Sequence, residues 1–414
     1  MTDSVWRNPS FRRFFAGQFV TNAGDSLYTV AVLWLAFDLT GSTGVTGALN
    51  SILLLPWLLQ ILAGPLVDRL PLKGVLVGAQ LAQGVVVLSL PLAAAAGHLS
   101  VELLFAVAPL LMLASLAMAP METAVLPRIV DDARLSNANA ALATVTLGLD
   151  MVFDALGGAV VATVGATALF LADAGTFALA ALLFAGVRLN APTSEPTADA
   201  PSVRDVLGSY RDDLREGIDV LRGTVFVELV LTTAVANFTT GVTLAVLPAF
   251  GAAIGGPLFY GLLLGALGVG RLLGSLVGPR LESVPFGRVL LMQGVGAACW
   301  LAAVFAPTPA LTVALFCLAW VPAGASGVVS STLNQRVFPA DLLGRVSATK
   351  GTASGATLPL GSLLGGLLGE AVGVRATMAL AASGFAFTAA YVLLRPRLRR
   401  LPAVADADPE DFGL

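Results

Sequence analysis

The sequence is poor in charged residues. Only 12% of its 414 residues are Asp, Glu, Lys or Arg, whereas 57% are hydrophobic, and the mean hydropathy is +0.86. Soluble proteins carry roughly 25% charged residues. Since a water-exposed surface needs that charge, the composition excludes an ordinary soluble domain and favours a chain whose solvent is a lipid bilayer.

Cysteine, histidine and clustered basic residues are scarce as well. The two cysteines, Cys299 and Cys317, both fall in apolar runs, which argues against a disulfide framework or a metal cluster. The net charge is −3 and no basic run stands apart from the predicted helix ends, so a nucleic-acid surface has no support. The sequence shows no phosphate-binding loop, metal-ligand motif or nucleophile elbow. An enzyme is therefore not expected, and neither is a cofactor.

Long apolar runs make up most of the chain. A transmembrane helix needs about 20 apolar residues, and twelve such runs are separated by short stretches rich in Gly, Pro and charge. The sequence thus predicts an all-α integral membrane protein with twelve transmembrane helices. The predicted spans lie near residues 14–37, 45–67, 74–96, 101–119, 137–164, 167–187, 225–248, 257–277, 288–305, 310–333, 346–368 and 377–394.

The basic residues predict the orientation of these spans, because short cytoplasmic loops hold an excess of Lys and Arg. With the N-terminus inside, 20 of the 23 basic residues fall in segments predicted to be cytoplasmic. Arg375 falls outside, and Arg271 and Lys350 lie within spans. This alternation predicts a multi-pass protein of the cell membrane with both termini in the cytoplasm.

An internal repeat divides the chain near its middle. The pair Gly157-Gly158 recurs as Gly365-Gly366, 208 residues later, and GPLV after the second span recurs as GSLV after the eighth at an offset of 210. The agreement favours two pseudo-symmetric six-helix halves. The predicted segments are an N-terminal half at residues 1–189, a linker at residues 190–222, a C-terminal half at residues 223–396 and a cytoplasmic tail at residues 397–414. The linker contains a predicted amphipathic helix, which lies either on the membrane surface or against the bundle.

The loop after the second span carries a family resemblance. It reads GPLVDRLPLK and resembles the loop signature of the major facilitator superfamily, with Gly64, then Asp68-Arg69, then a basic residue at Lys73. The resemblance implies that these residues form a gating motif, in which Asp68 and Arg69 latch neighbouring helix ends. The alternative is a simple positive-inside anchor.

The wider chain is similar to the exporter branch of that superfamily, which includes macrolide efflux proteins and siderophore exporters. The similarity rests on residues 22–25 (NAGD), on Trp34 followed by residues 38–42 (DLTGS), and on residues 135–139 (LSNAN). It implies a rocker-switch transporter whose substrate cavity lies between the halves, lined chiefly by helices one, four, seven and ten.

The chain departs from the drug:proton antiporters of this superfamily at two points. The fourth span has no Lys or Arg, where those proteins often carry a basic residue. In the fifth helix those proteins carry a Gly-Pro pair followed two residues later by Gly-Gly. Here Gly157-Gly158 matches the second pair, but Phe153-Asp154 stands at the position of the Gly-Pro pair. The resemblance therefore favours proton-coupled efflux without establishing it.

Polar residues on the first span are the leading site candidates. Gln18, Asn22, Asp25 and Thr29 follow helical spacing and form one stripe that should face away from lipid. An ionisable side chain near the bilayer centre costs at least about 2.5 to 3.5 kcal/mol, and desolvation favours the neutral form of a carboxyl there. We therefore expect Asp25 to bind and release protons during transport. The alternative is a side chain that only fixes helix packing.

Further ionisable residues lie in other spans. Asp150 and Asp154 are one turn apart on the fifth span, where two carboxyls would share a proton or serve packing. Arg271 and Lys350 in the second half would pair with the buried acids of the first half or snorkel to the headgroups. Asp173 in the sixth span is expected to make a structural bond, because the resemblance places that helix at the periphery.

Three functional hypotheses follow. The first is a monomeric secondary transporter that exports amphipathic compounds of the drug, macrolide or siderophore type in exchange for protons, which the buried acids and the resemblance favour. The second is a lipid, lysophospholipid or metabolite carrier without proton antiport. The third is a transport-inactive scaffold or sensor, which gains nothing from the insertion cost of buried ionisable groups. The expected partners are a small-molecule substrate, protons and the lipid bilayer.

Overall fold

The polypeptide is helical in the part of the chain that the structure describes. This computed structural model describes residues 5–55, 71–116, 118–148, 150–189 and 203–414. No β-strand occurs within these ranges.

The helices from the first part of the sequence are α1 (Pro9–Thr40), α2 (Thr43–Leu54), α3 (Leu72–Ala95), α4 (Val101–Ser115), α5 (Met118–Val125), α6 (Asp132–Gly148), α7 (Asp150–Val164) and α8 (Ala166–Ala185). Those that follow are α9 (Val203–Leu221), α10 (Val225–Ile254), α11 (Pro257–Val277), α12 (Phe286–Leu291), α13 (Gln293–Val304), α14 (Pro309–Val337), α15 (Ala340–Gly355), α16 (Thr357–Val372), α17 (Val374–Ala381), α18 (Ser383–Leu394), α19 (Pro396–Arg399) and α20 (Pro409–Phe412).

Among the described residues, 8 helical stretches are long and apolar enough to cross a membrane. The shorter apolar helices α2, α4 and most of α7 lie within further predicted spans, and the 32-residue α1 contains the first predicted span. The breaks at Met292, Ala356 and Ala382 keep right-handed helical dihedrals, so α12–α13, α15–α16 and α17–α18 each continue as one span. Every predicted span coincides with a described helix, although the second is described only to residue 55. The predicted all-α membrane fold is confirmed.

The helices group into two compact units. Unit 1 comprises residues 1–40 and 55–208, and unit 2 comprises residues 41–54 and 209–414. Helix α2 packs within unit 2, although the sequence placed it in the N-terminal half. The reason is steric complementarity, since Gly47 of α2 lies on Gly366 of α16 and a Cβ on either residue would collide with the other helix. The boundaries of the two six-helix halves stay a prediction.

Helix α8 packs against both α1 and α3 in unit 1. Gly17 of α1 lies against the ring of Phe184 on α8, and Gly84 of α3 lies against Phe177. Small residues at such crossings let helix backbones approach closely. Polar side chains on α8 are therefore covered by other helices instead of lipid.

Glycine residues also make a close helix contact in unit 2. Gly270 and Gly274 on α11 lie on the backbone of α14, and Gly324 of α14 lies on the backbone of Arg271 in return. A Cβ at any of these three glycines would overlap main-chain atoms of the facing helix. The eighth and tenth spans are therefore held as a closely packed pair.

The linker helix α9 packs on unit 2 through its last three turns. The hydroxyls of Tyr210 on α9 and Thr352 on α15 are hydrogen-bonded at 2.6 Å. Arg345 Nη1 donates to Glu216 Oε1 over 2.7 Å, and Gly217 lies against Thr349. The helix therefore contacts unit 2, and its position relative to the membrane surface stays a prediction.

The C-terminal tail is a folded part of unit 2. Phe412 is fully buried, and its ring stacks on Phe226 with centroids 5.4 Å apart. The amide of Val404 donates to the Glu282 carbonyl over 3.0 Å. The tail therefore contributes side chains to the core of unit 2. The buried tail residues are Leu398, Leu401, Ala403, Val404, Ala407 and Phe412.

Candidate functional site

The polar stripe predicted on α1 occupies the middle of that helix. Gln18 is buried, Asn22 and Thr29 are half-buried, and Asp25 is exposed at the protein surface. Asn22 Nδ2 donates to the Gln18 carbonyl (2.7 Å), and Thr29 Oγ1 donates to the Asp25 carbonyl (2.9 Å), so both side chains use acceptors one turn earlier. An exposed acid at membrane depth is expected to face a water-filled space and not lipid.

Asp173 on α8 is wholly buried, with 0% of its surface exposed. Its carboxyl lies against Gly24 of α1, where an added Cβ would overlap both Asp173 Oδ1 and Thr176 Oγ1. The absence of a side chain at Gly24 therefore makes room for the acid. Asp173 and Asp25 are near enough to interact electrostatically.

Tyr28 completes this cluster one turn after Gly24. It is 5% exposed, and its ring packs on Phe170 of α8 with centroids 5.9 Å apart. Tyr28 interacts electrostatically with both Asp173 and Asp25. Neither the Tyr28 hydroxyl nor Asp173 Oδ2 has a hydrogen-bond partner among the described residues.

Sequence reasoning missed Tyr28 and expected Asp173 to make only a structural bond. The available signal for Tyr28 was its three-residue spacing from Asp25, which puts the two side chains on neighbouring positions of one helical face. No comparable signal existed for Asp173, because its surroundings depend on which helices α8 touches.

Buried amides extend the polar surface of unit 1 from α1 to α3. Thr21 Oγ1 donates to Gln80 Oε1 over 3.1 Å, and Gln83 is buried one turn further along α3. In the described part of the chain, both amide atoms of Gln18 and the Oε1 of Gln83 lack a hydrogen-bond partner. A buried polar atom without a partner costs about 1–3 kcal/mol, so these amides are candidate contacts for a polar substrate group or for water.

The predicted acid pair lies on α7. Phe153 packs edge-on against Phe19 of α1 with ring centroids 6.0 Å apart, and Gly157 lies against Val30. Asp154, which is half-buried, neighbours this contact face. The backbone of Asp150 belongs to the first turn of α7, and its side chain lies outside the described atoms. Proton sharing by Asp150 and Asp154 stays a prediction.

The two basic residues predicted within spans lie in unit 2. Lys350 is half-buried, donates from Nζ to Asn334 Oδ1 over 2.7 Å, and stands 4.6 Å from the centroid of the Phe226 ring. Its amide and aromatic partners within unit 2 give the ammonium local stabilisation. Arg271 is exposed. The predicted ion pair between halves stays a prediction for both residues.

The loop motif falls largely outside the described residues. Gly64, Asp68 and Arg69 are not described, and Lys73 is exposed in the first turn of α3. The latch assigned to this motif therefore stays a prediction.

Known proteins resemble the chain over nearly its whole length. The family described as "Transmembrane secretion effector" matches residues 3–412. The chain is 27% identical over 417 residues to the "Multidrug efflux pump Tap" of Mycobacterium tuberculosis (strain ATCC 25618 / H37Rv), with 97% of both chains covered. The protein of the same name from Mycobacterium bovis (strain ATCC BAA-935 / AF2122/97) matches equally well, at 27% identity over 417 residues.

Solved structures of other transporters share the fold. A bacterial homologue of the human lysosomal transporter Spinster aligns with a TM-score of 0.71 at 14% identity, covering 96% of this chain and 98% of that chain. A bacterial homologue of the iron transporter ferroportin gives a TM-score of 0.69 at 17% identity, with coverage of 94% and 99%. The nucleoside transporter NupG gives 0.66 at 14% identity, with coverage of 93% and 98%. At such identities these likenesses show the fold alone.

Proposed function

Because the chain belongs to the major facilitator superfamily of membrane transporters, we propose that it is a proton-coupled exporter of small amphipathic compounds. The observation that carries this proposal is the match to a multidrug efflux pump, which covers 97% of both chains. The family assignment itself makes the chain a transporter of small molecules and not an enzyme. The proposed substrates are of the drug, macrolide or siderophore type.

Proton coupling is proposed on the basis of Asp25. This acid lies near the middle of a 32-residue helix and is exposed, so a proton from water can reach its carboxyl. Ionisation at membrane depth carries a free-energy cost that protonation removes. A carboxyl that reaches water on each side in turn can therefore take up a proton on one side and release it on the other. Asp150 and Asp154 are the second proposed proton site.

The contact between α2 and α16 supports alternating access. Thr43 Oγ1 donates to the Gly366 carbonyl (2.7 Å), and Asn50 Nδ2 donates to Ser362 Oγ (2.9 Å). Helix α2 begins three residues after α1 ends, so a cycle in which α2 moves together with α1 would break these bonds. The α2–α16 contact is proposed to close one side of the transport path.

Replacing Gly366 with valine should open the α2–α16 contact. An added Cβ there would overlap the Thr43 carbonyl oxygen and approach Gly47, and overpacking costs about 1–3 kcal/mol. In a background without the two native cysteines, a cysteine at buried Leu49 should react about tenfold faster with an impermeant maleimide when Gly366→Val is present.

The matched control is Gly355→Val, on the same continuous span. No atom lies within 4 Å of a Cβ added at Gly355, so the labelling rate should equal that of the parent protein. Equal rates in the parent, the control and Gly366→Val would show that this contact does not govern access.

The proposed location is the cell membrane, with both termini in the cytoplasm. Cysteines placed singly at His98 and Ser202 should then react with an impermeant reagent from opposite sides of intact cells. We expect immediate labelling at His98 and labelling at Ser202 only after the cells are permeabilised. Equal labelling of both positions in intact cells would contradict the proposed orientation.

Transport by the purified chain in lipid vesicles tests the proposed function. An imposed pH gradient should drive uphill movement of at least one compound from a panel of hydrophobic drugs and siderophores, and a protonophore should abolish it. Movement of lysophospholipid that ignores the gradient would favour the lipid carrier instead. Absence of any movement by folded protein, for the drugs, the siderophores and the lipid alike, would favour the scaffold.

A further inference from the structure

The surroundings of Asp173 favour a protonated carboxyl. Thr176 Oγ1 lies 2.7 Å from the Asp173 carbonyl oxygen and 3.1 Å from Asp173 Oδ1. Thr176 Oγ1 is the donor in both contacts, and its single hydrogen is divided between the two acceptors, with the larger part going to the closer carbonyl oxygen. An ionised Asp173 would therefore receive only part of one hydrogen bond from Thr176.

The second carboxyl oxygen supports the same protonation state. Asp173 Oδ2 is buried with no hydrogen-bond partner in the described part of the chain. An unpaired carboxylate in apolar surroundings is far more costly than a neutral carboxyl. The Tyr28 hydroxyl is also buried and lacks a partner among those residues. Because a hydroxyl both donates and accepts, it can serve either form of the acid.

We propose that Asp173, Tyr28 and Asp25 form one proton-binding site at the contact between α1 and α8, in which Asp173 holds a proton that it shares with Asp25. Asp25 is exposed and exchanges protons with water, whereas Asp173 is enclosed by helices. The two carboxyls interact electrostatically, so a negative charge on Asp25 favours the neutral form of the buried Asp173. Tyr28 acts as a positioning residue for the shared proton.

Basic residues on the surrounding helices lie far from this site. Helix α8 carries no charged residue besides Asp173. Arg13 reaches the Gly186 carbonyl, about 20 Å along α8 from Asp173 at 1.5 Å per residue. Gly84 of α3 lies beside Ala174, the residue that follows Asp173. Lys73 is about 16 Å along α3 from Gly84. A proton is therefore the cation that neutralises Asp173. The charged residues on the helices packed against α8 are Arg12, Arg13, Asp25 and Asp38 on α1, Lys73 on α3, and Asp150 and Asp154 on α7.

The role of this site in transport rests on the proposed proton-driven export. With a proton in place, α1 and α8 meet at Gly24 through neutral groups. Loss of the proton leaves two negative charges at that close approach, which favours a different packing of the two helices. Proton binding by the cluster, by contrast, is a property of unit 1 and holds whether or not export is proton-driven.

Infrared difference spectroscopy of the purified full-length protein in lipid nanodiscs tests the site. The carbonyl stretch of protonated carboxyl groups should be present at neutral pH and should titrate in two steps, since coupled acids lose their proton in stages. Asp173→Asn should remove a component of this band, and Asp25→Asn should reduce the titration to one step. Asp38→Asn, which alters an exposed acid of α1, is the matched control and should change neither feature.

A wild-type band unaltered by Asp173→Asn would overturn the proposal. Should that variant not fold, Thr176→Val and Tyr28→Phe leave the acid in place and change its hydrogen bonding. Both should shift the frequency of the Asp173 component, whereas Tyr391→Phe in unit 2 should not. Unshifted bands in both variants would equally overturn the site.

The two proposals fail in different ways. If the Asp173 component of the carbonyl band is observed but vesicle transport does not depend on the pH gradient, proton-driven export is refuted and the proton-binding site is supported. Proton-driven transport without an Asp173 band would refute the site and leave export standing, with Asp25 or the α7 acids as the proton carriers.

Discussion

Asp25→Asn should abolish uphill transport driven by a pH gradient while the protein still inserts and binds substrate. The amide mimics the protonated acid permanently, so it cannot release a proton during the cycle. Downhill exchange should continue, because exchange does not require proton release. The measurement is gradient-driven uptake per folded molecule in vesicles, with the panel compound that the wild type moves.

Asp38→Asn is the matched control for this experiment. It changes an exposed carboxyl on the same helix, near its end, and should leave gradient-driven uptake at the wild-type rate. A packing role for Asp25 predicts another outcome, in which expression or thermal stability falls but coupling is intact. Full pH-driven transport by Asp25→Asn would move the proposed proton carrier to Asp150 and Asp154.

Phe412→Ala should lower the free energy of unfolding by about 3–5 kcal/mol, the usual cost of removing a buried phenyl ring. The Phe412 ring is 0% exposed and lies on Phe226. Phe226 in turn contacts the Phe338 ring at 4.6 Å and the Lys350 ammonium at 4.6 Å. Removing the phenyl group leaves a cavity that this rigid arrangement cannot fill. The measurement is unfolding in mixed detergent micelles, followed by tryptophan fluorescence.

Leu414→Ala provides the matched control two residues further along the tail. Leu414 is 39% exposed, and truncation of an exposed side chain usually changes stability by about 0.5 kcal/mol or less. Equal unfolding curves for Phe412→Ala and the wild type would show that the tail does not contribute to the core of unit 2 in solution.

The transmembrane helices were predictable because lipid imposes simple requirements on a sequence. A span must be about 20 apolar residues long and must satisfy its own backbone hydrogen bonds. The spans predicted to begin at Val225 and Pro257 do begin there as α10 and α11. Agreement is poorer where a helix leaves the apolar region, since α14 continues to Val337, four residues beyond the predicted end.

The candidate site was only partly predictable. The stripe on α1 could be found because residues within one helix share a face at known spacing. The surroundings of Asp173 could not be predicted, because the helices that cover it are remote in sequence and the room for its carboxyl comes from Gly24 on another helix. Lys350 shows the same limit, since its partners Asn334 and Phe226 belong to α14 and α10.

The sequence by itself determined the membrane environment of this protein, the placement of its apolar helices in the described part of the chain and the membrane-transporter family. These properties depend on composition, local periodicity and short motifs, which are written along the chain. Only the tertiary structure decided that α2 packs on α16, that the tail enters the core of unit 2, and that Asp173 meets Tyr28 and Asp25. Those contacts join segments far apart in sequence, and they depend on how closely particular helices approach, which glycines at the crossings control.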